Sequence, residues 1–422
     1  MVTGWAKTAF LSGLDGIEGG TLTVECPGRT YTFGKDDGLA ATLTVRDERF
    51  FRRALTGSDI GIGESFMDGE WTTPDLVPLV QLMLRSRRVL ENGSRFAGAL
   101  HRLVGGIARR LRDNSLAGSR RHIHRHYDLG NDFFQLFLDR DLRMYSCGYF
   151  ESAAEPLEQA QARKVDRICK ALKLSPGDHV LEIGSGWGGF AVWASTHYGC
   201  RVTTTTISDD QYRHVREWRS RIGDAGSRID VLRADYRELT GQFDKAVSIE
   251  MFEAVGLNHY DDYFQAVDRL LTPDGVMLLQ TITVDDQWFP KYHGTPDWIE
   301  KYIFPGGELA SVGEILRSLA RTTSLSMYHA ENFGTHYART LQAWRTRFHH
   351  NIDRVRALGY DERFIRMWDL YLASCEATFL ERHTGLFQLM LLKNGARLRL
   401  FNEPWSDIAV EPRGAAASAP AA

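Results

Sequence analysis

An apolar run that ends in a glycine-rich turn, Val180-Leu-Glu-Ile-Gly-Ser-Gly-Trp-Gly-Gly189, is the first place in this chain where residue type and spacing point to ligand chemistry. Glycines at 184 and 186 let the backbone bend sharply and approach a bound molecule, and a helix that opens directly after such a turn presents free backbone N–H groups. Glu182 lies just before the turn and Gly188 and Gly189 are adjacent, so the pattern departs from the G-x-G-x-x-G spacing that packs around a dinucleotide pyrophosphate. A tight strand-to-helix turn with no ligand is the alternative reading. Metal and thiol chemistry find less support. His122, His124 and His126 are spaced two apart, but Arg121 and Arg125 interleave them and no carboxylate or cysteine ladder accompanies them. Headgroup contact or ordinary packing suits them better. Cys26, Cys147, Cys169, Cys200 and Cys375 form no C-x-x-C pair, so neither a zinc site nor a disulfide framework is signalled, and a reducing cytoplasm fits.

The elements that must position this turn alternate along the chain. Strands are expected at 179–183, 201–207, 228–232, 243–249 and 275–283, with helical stretches between them, which implies a mainly parallel sheet covered on both faces. Further helices are expected at 312–321, 337–350 and 361–381, and strands at 324–329 and 386–392. The first 80 or so residues read differently, as short strands around Pro27-Gly28 followed by helices near 48–55 and 75–85, a small α+β domain of its own. Linker composition at Asp113-Asn-Ser-Leu-Ala-Gly-Ser119 places the boundary near residue 118, giving an amino-terminal domain 1–118, a catalytic domain 119–412 and a low-complexity tail 413–422 expected to be disordered.

Eight segments in a fixed order then carry a family resemblance. They are His126-Tyr-Asp-Leu-Gly-Asn-Asp-Phe-Phe134, Met144-Tyr-Ser-Cys-Gly-Tyr149, the turn at 180–190, Thr206-Ile-Ser-Asp-Asp-Gln211, Asp235-Tyr-Arg237, Glu250-Met-Phe-Glu-Ala-Val-Gly256, Lys301-Tyr-Ile-Phe-Pro-Gly-Gly307 and Glu331-Asn-Phe-Gly-Thr-His-Tyr337. Together they resemble the cyclopropane-fatty-acyl-phospholipid synthases and mycolic acid methyltransferases. The resemblance implies a class I S-adenosylmethionine methyltransferase, Rossmann-like with a mainly parallel sheet, that acts on the cis double bond of unsaturated phospholipid acyl chains. Tyr145, Ser146, Glu182, Gly184, Gly186, Thr206, Ile207, Gln211, Tyr236 and Arg237 fall where the family contacts the cofactor.

A bound bicarbonate is the family's base, and the resemblance assigns its holders to Glu253, Tyr337, Gln280 and the backbones of Cys147 and Ile282. Stabilising charge where it develops in a water-poor site is a large catalytic contribution, and a glutamate beside a tyrosine could orient an anion only through a shared proton or hydrogen bond, which implies a perturbed carboxyl. Better-known bacterial members carry histidine in place of Gln280, and many carry histidine in place of Ala254. Glutamine still donates a hydrogen bond but does not titrate. Cys375, in Ala373-Ser-Cys-Glu376, resembles a family cysteine. Methyl transfer needs no covalent enzyme intermediate, so a structural role is expected of it.

Composition limits the partners. At 422 residues, 43% hydrophobic and 25% charged, the chain has an ordinary globular make-up, and no stretch of 18 apolar residues occurs. The formal net charge is −3, yet eleven arginines face two carboxylates between Arg85 and Arg125. Residues 96–112 read as a basic amphipathic helix. That block could be a solvated face, a bilayer-docking surface or a nucleic-acid patch. An enzyme that reaches acyl double bonds must dock on a bilayer, so a peripheral protein on the inner membrane face is expected, with no nucleic acid and a possible homodimer through the amino-terminal domain. Trp288, Phe289, Tyr292 and Trp298 are either core or the lining of an acyl channel.

Overall fold

Residues 2–35, 38–86, 129–293 and 297–396 are described by the structure, a computed structural model. The boundary near 118, the basic helix 96–112, the histidines 122–126 and the tail lie outside these residues.

The amino-terminal part builds a four-stranded sheet in the order β2-β1-β3-β4 from β1 (Gly20–Cys26), β2 (Arg29–Gly34), β3 (Leu39–Val45) and β4 (Trp71–Thr72). β1 and β2 form the expected hairpin about Gly28, at φ 78, while β3 runs parallel to β1. Alternating buried positions in β1 and β3 give the sheet one apolar face, and the Leu76–Arg85 helix packs on it. Asp75 caps that helix through its carboxylate on the Val77 N–H at 3.1 Å. The helix also lies against Glu362–Leu380, and Arg85 and Gln81 both reach Glu381, at 2.8 and 2.7 Å. Buried residues from Leu22 to Trp368 therefore share one continuous core.

The large sheet has seven strands in the order β10-β11-β9-β8-β5-β6-β7: β5 (His179–Ile183), β6 (Arg201–Thr206), β7 (Ile229–Arg233), β8 (Phe243–Ile249), β9 (Leu271–Val284), β10 (Ser326–Asn332) and β11 (Thr384–Leu392). β5 to β9 are parallel to their neighbours, and β11 and β10 close one side antiparallel. Strands buried on both faces explain the near-continuous apolar runs such as Val276–Leu279. From β5 the chain moves to β6 on one side and returns to β8 on the other. The crevice at the carboxyl ends of β5 and β8 is thus the switch point, where open α/β sheets bind ligands.

The expected elements are present with end shifts of a few residues. β9 is longer than expected, starting at Leu271 rather than 275, and the helix expected at 48–55 is followed, after a kink at Ser58 with φ 51 and ψ −140, by a second helical stretch that ends at Met67.

Candidate active site

The glycine turn after β5 is held open by its own backbone. Gly184, Gly186 and Gly188 have φ of 94, 49 and 93. A Cβ on Gly184 would strike Met251 at 2.8 Å, whereas one on Gly186 would meet nothing within 4 Å, so the open side of the turn is at Gly186. That shape suits a ligand lying along the turn. Trp187 donates from Nε1 to Asn131 Oδ1 at 2.8 Å and ties the turn to the 129–134 segment. Glu182 is buried, accepts from Thr204 Oγ1 at 2.6 Å, and is pushed up to about 8 by that burial.

The other residues expected at the cofactor follow the carboxyl ends of β6 and β7 or lie on the bend that leads to Cys147. After β6, Thr206 donates to Gln211 at 2.8 Å, with Ile207 half-buried beside them. After β7, Tyr236 is buried and Arg237 grips Asp235 at 2.8 and 2.9 Å. Tyr145 and Ser146 arrive from the amino-terminal side on a bend built by Asp139, whose carboxylate accepts the N–H groups of Leu142, Arg143 and Met144 at 2.6, 3.0 and 2.7 Å. Ser146 Oγ accepts from the fully buried Lys164 at 2.7 Å, and burial pulls that ammonium down to about 8. Neither Asp139 nor Lys164 stands out in the sequence, because the first acts on backbone N–H groups and the second on a hydroxyl 18 residues away.

Three of the residues expected to hold an anion come together, but on a carboxylate of this chain. The Cys147 N–H, Gln280 Nε2 and Tyr337 hydroxyl converge on the carboxylate of Glu250, at 2.9, 2.7 and 2.6 Å. Glu253 stands apart from this set. It accepts from the Ile282 N–H at 2.6 Å and Thr281 Oγ1 at 3.1 Å, while its Oε2 is buried with no hydrogen bond. A bicarbonate held by Cys147, Gln280 and Tyr337 would have to displace the Glu250 side chain, so these residues as arranged do not fit a separate anion in that seat. Glu250 sits at φ 50, a region that favours glycine, and the strain is borne where its carboxylate meets three donors. The available signal was a second carboxylate three residues before Glu253, just past the end of β8.

Burial sets the charge states here. Removal from water pushes the Glu250 carboxyl up, partly opposed by Tyr337, the Cys147 N–H and Lys164. Glu253 is pushed up to about 8 by burial and by the neighbouring Glu250, so it is protonated near neutral pH. The Cys147 thiol is pushed well up by burial and donates to the Gly148 carbonyl at 3.1 Å. Cys375 is pushed up to about 12 by burial, which leaves no thiolate for nucleophilic work.

Aromatic rings wall the Glu250 side of the crevice. Tyr145 packs on Trp344 at 5.2 Å and donates to or accepts from Tyr371 at 2.9 Å, Phe304 meets Tyr371 at 5.7 Å, and Tyr337 stacks on Phe379 at 4.6 Å. Of the four aromatics expected to cluster, Phe289 stacks with His293, Trp298 packs on Tyr302 and against Gly63, and Tyr292 accepts from the Leu309 N–H. They brace the 285–309 segment separately. Among the described residues no acidic, histidine or cysteine group is arranged for a metal ion, and no helix is long and apolar enough to cross a membrane.

The chain is similar to known proteins. The family model for mycolic acid cyclopropane synthetase matches residues 114–389. A tuberculostearic acid methyltransferase of Mycobacterium tuberculosis is 37% identical over 370 residues, 86% of either chain. The cyclopropane-fatty-acyl-phospholipid synthase of Escherichia coli K12 is 38% identical over 364 residues, 85% of this chain and 90% of its own. In the crystal structure of a mycolic acid cyclopropane synthase complexed with SAH and CTAB, the similar region covers 65% of this chain and 98% of that one, with TM-score 0.60 and 32% identity. With its glycine turn and polar seat on either side of the switch point, this chain belongs to the mycolic acid cyclopropane synthetase family and is an S-adenosylmethionine-dependent methyltransferase.

Proposed function

We propose that this enzyme methylates the cis double bond of unsaturated acyl chains in membrane phospholipids and that Glu250, in the seat expected for bicarbonate, accepts the proton released. The observation that carries the second part is the convergence of three donors on one buried carboxylate. S-adenosylmethionine, held along the 184–188 turn by the residues ringing it, supplies an electrophilic methyl group. The alkene π pair forms the new C–C bond, the S–C bond electrons return to sulfur, and a carbocation is left on the acyl chain. The walls formed by Tyr145, Tyr337 and Trp344 exclude water and present ring faces to that cation. Cys147, Gln280 and Tyr337 oppose the burial that pushes this carboxyl up and fix it in direction, so it receives a proton without reorganising. When the proton leaves the new methyl and its C–H electrons close a C–C bond, the product is a cyclopropane.

A second reading has its own support. If the hydrogen on the methyl-bearing carbon first shifts with its electron pair to the cationic carbon, proton loss from the methyl then forms a C=C bond and leaves a methylene branch, the precursor of a methyl branch. A base tethered at Glu250 has one fixed approach to the cation, and one similar relative is named for tuberculostearic acid rather than for a cyclopropane. Access from the bilayer surface is assigned to the arginine-rich 85–125 segment. Mass spectrometry of phospholipid acyl chains from cells expressing the protein, fed labelled methionine, tests both readings. Gain of one labelled CH2 on monounsaturated chains supports them, and fragmentation separates ring from branch. Label confined to RNA or small metabolites overturns them.

A further inference from the structure

Gln280 can serve Glu250 only if its amide is turned the right way. An ionised carboxylate accepts and never donates, so the NH2 end must face Glu250, as it does at 2.7 Å. Turned over, the carbonyl oxygen would face the carboxylate and repel it. Nothing in Gln280 itself selects between the two orientations. Its other end is held by Gln388, whose Nε2 donates to Gln280 Oε1 at 2.8 Å. Gln388 has the same ambiguity, and Arg167 resolves it, reaching Gln388 Oε1 from Nε at 3.5 Å. A guanidinium has donors and no acceptor, so the direction of the whole series is set at Arg167.

The sheet places these residues in line. Gln280 on β9 is directly opposite Gln388 on β11, which is directly opposite Glu331 on β10, so the three side chains share one face. Gln280 and Gln388 are buried. Arg167, on the Leu157–Ala171 helix that covers this face, is anchored by an ion pair to Glu331 and lies 4.6 Å over the Tyr149 ring. A half-exposed cation is thereby connected to a buried carboxylate across three strands.

We propose that Gln388, oriented by Arg167, is a positioning residue that points the N–H of Gln280 at Glu250 and so keeps that carboxylate ready to accept a proton. This rests on the reading of Glu250 as proton acceptor. The titratable groups facing Glu250 are Cys147, Lys164, Glu253 and Tyr337, with Tyr371 beyond, and substitution at 388 alters none of their hydrogen bonds.

The test is Gln388→Glu, assayed as transfer of labelled methyl from S-adenosylmethionine into vesicles of dioleoyl phosphatidylglycerol. Glutamate at 388 accepts from both Arg167 and Gln280, which turns the Gln280 carbonyl toward Glu250. We expect kcat to fall about 10- to 100-fold and the acid limb of its pH profile to move upward, with KM for S-adenosylmethionine unchanged. In a Gln280→Met background, which has no amide to turn, the same substitution should cost nothing further. Arg167→Gln, near the surface and tolerant of change, should move the profile in the same direction if Gln388→Glu does not fold. A folded Gln388→Glu or Arg167→Gln enzyme with the wild-type pH profile overturns the inference, as does an equal loss in the Gln280→Met background. Glu250→Gln in the same assay separates the two levels, since full activity there removes the base itself rather than its orientation.

Discussion

Replacing Glu250 with glutamine removes the proposed base while disturbing little else. Oε1 of Glu250 takes the Cys147 N–H and Gln280 Nε2, and Oε2 takes the Tyr337 hydroxyl. A glutamine whose oxygen replaces Oε1 keeps the first two bonds, and its NH2 then faces Tyr337, whose hydroxyl can rotate to accept. The structural cost is therefore small, under about 1 kcal/mol. Stability above neutral pH should hold or rise, because a neutral amide escapes the burial penalty that pushes the Glu250 carboxyl up. The loss falls on catalysis. Removing a positioned base costs about 10²–10⁴-fold, or roughly 3–5 kcal/mol of barrier. The assay is labelled methyl transfer to dioleoyl phosphatidylglycerol vesicles, with calorimetric titration of S-adenosylmethionine to show that cofactor binding survives. Glu250→Gln that folds, binds cofactor and turns over within about threefold of wild type would refute the reasoning. Glu250→Gly, which suits φ 50, leaves the three donors around a free seat, so added bicarbonate should restore part of the activity and chloride should not.

Three further outcomes follow from the same geometry and a fourth from the sequence. Tyr337→Phe deletes one bond to a buried charge, worth about 1.5–3 kcal/mol, so kcat should fall roughly 10- to 100-fold and its acid limb should shift to higher pH in a pH–rate profile. Gly186→Val places a branched side chain at φ 49 on the open side of the cofactor turn, and calorimetry should find S-adenosylmethionine binding weakened about tenfold or more. Glu253 holds its proton in the folded state up to about pH 8 but loses it near 4.5 unfolded, so its contribution is full below 4.5 and lost as pH rises to 8. Glu253→Gln, close in shape to the protonated acid, should keep most activity and flatten the fall in melting temperature across that window; an unchanged slope would contradict the assignment. Replacing Arg109, Arg110 and Arg112 with glutamate should weaken sedimentation with anionic vesicles at low salt, and undiminished binding would discard that segment as the docking surface.

Local pattern and ordered motifs determined a good deal by themselves. The runs at 179–183 and 243–249 become β5 and β8 with the expected bounds, because Val180, Leu181 and Ile183 and Phe243, Ala246 and Val247 concentrate apolar side chains where the sheet is covered. The glycine turn declared itself through backbone freedom, which is a property of residue type alone. Cys147 and Tyr337 lie in the ordered motifs and Gln280 is assigned by the family resemblance, and the three do meet. What they meet was decided by tertiary structure. Glu250 and Glu253 stand three residues apart in one motif, and only the turn at φ 50 and the pairing of β8 with β9 aim the first at Gln280 and the second at the Ile282 N–H. The direction of the Gln280 amide depends on Gln388, 108 residues away, and Lys164 lies under Ser146 from 18 residues off. Hydrogen bonds between strands and across helix faces join residues by register and burial, and neither is a property of a short stretch of chain.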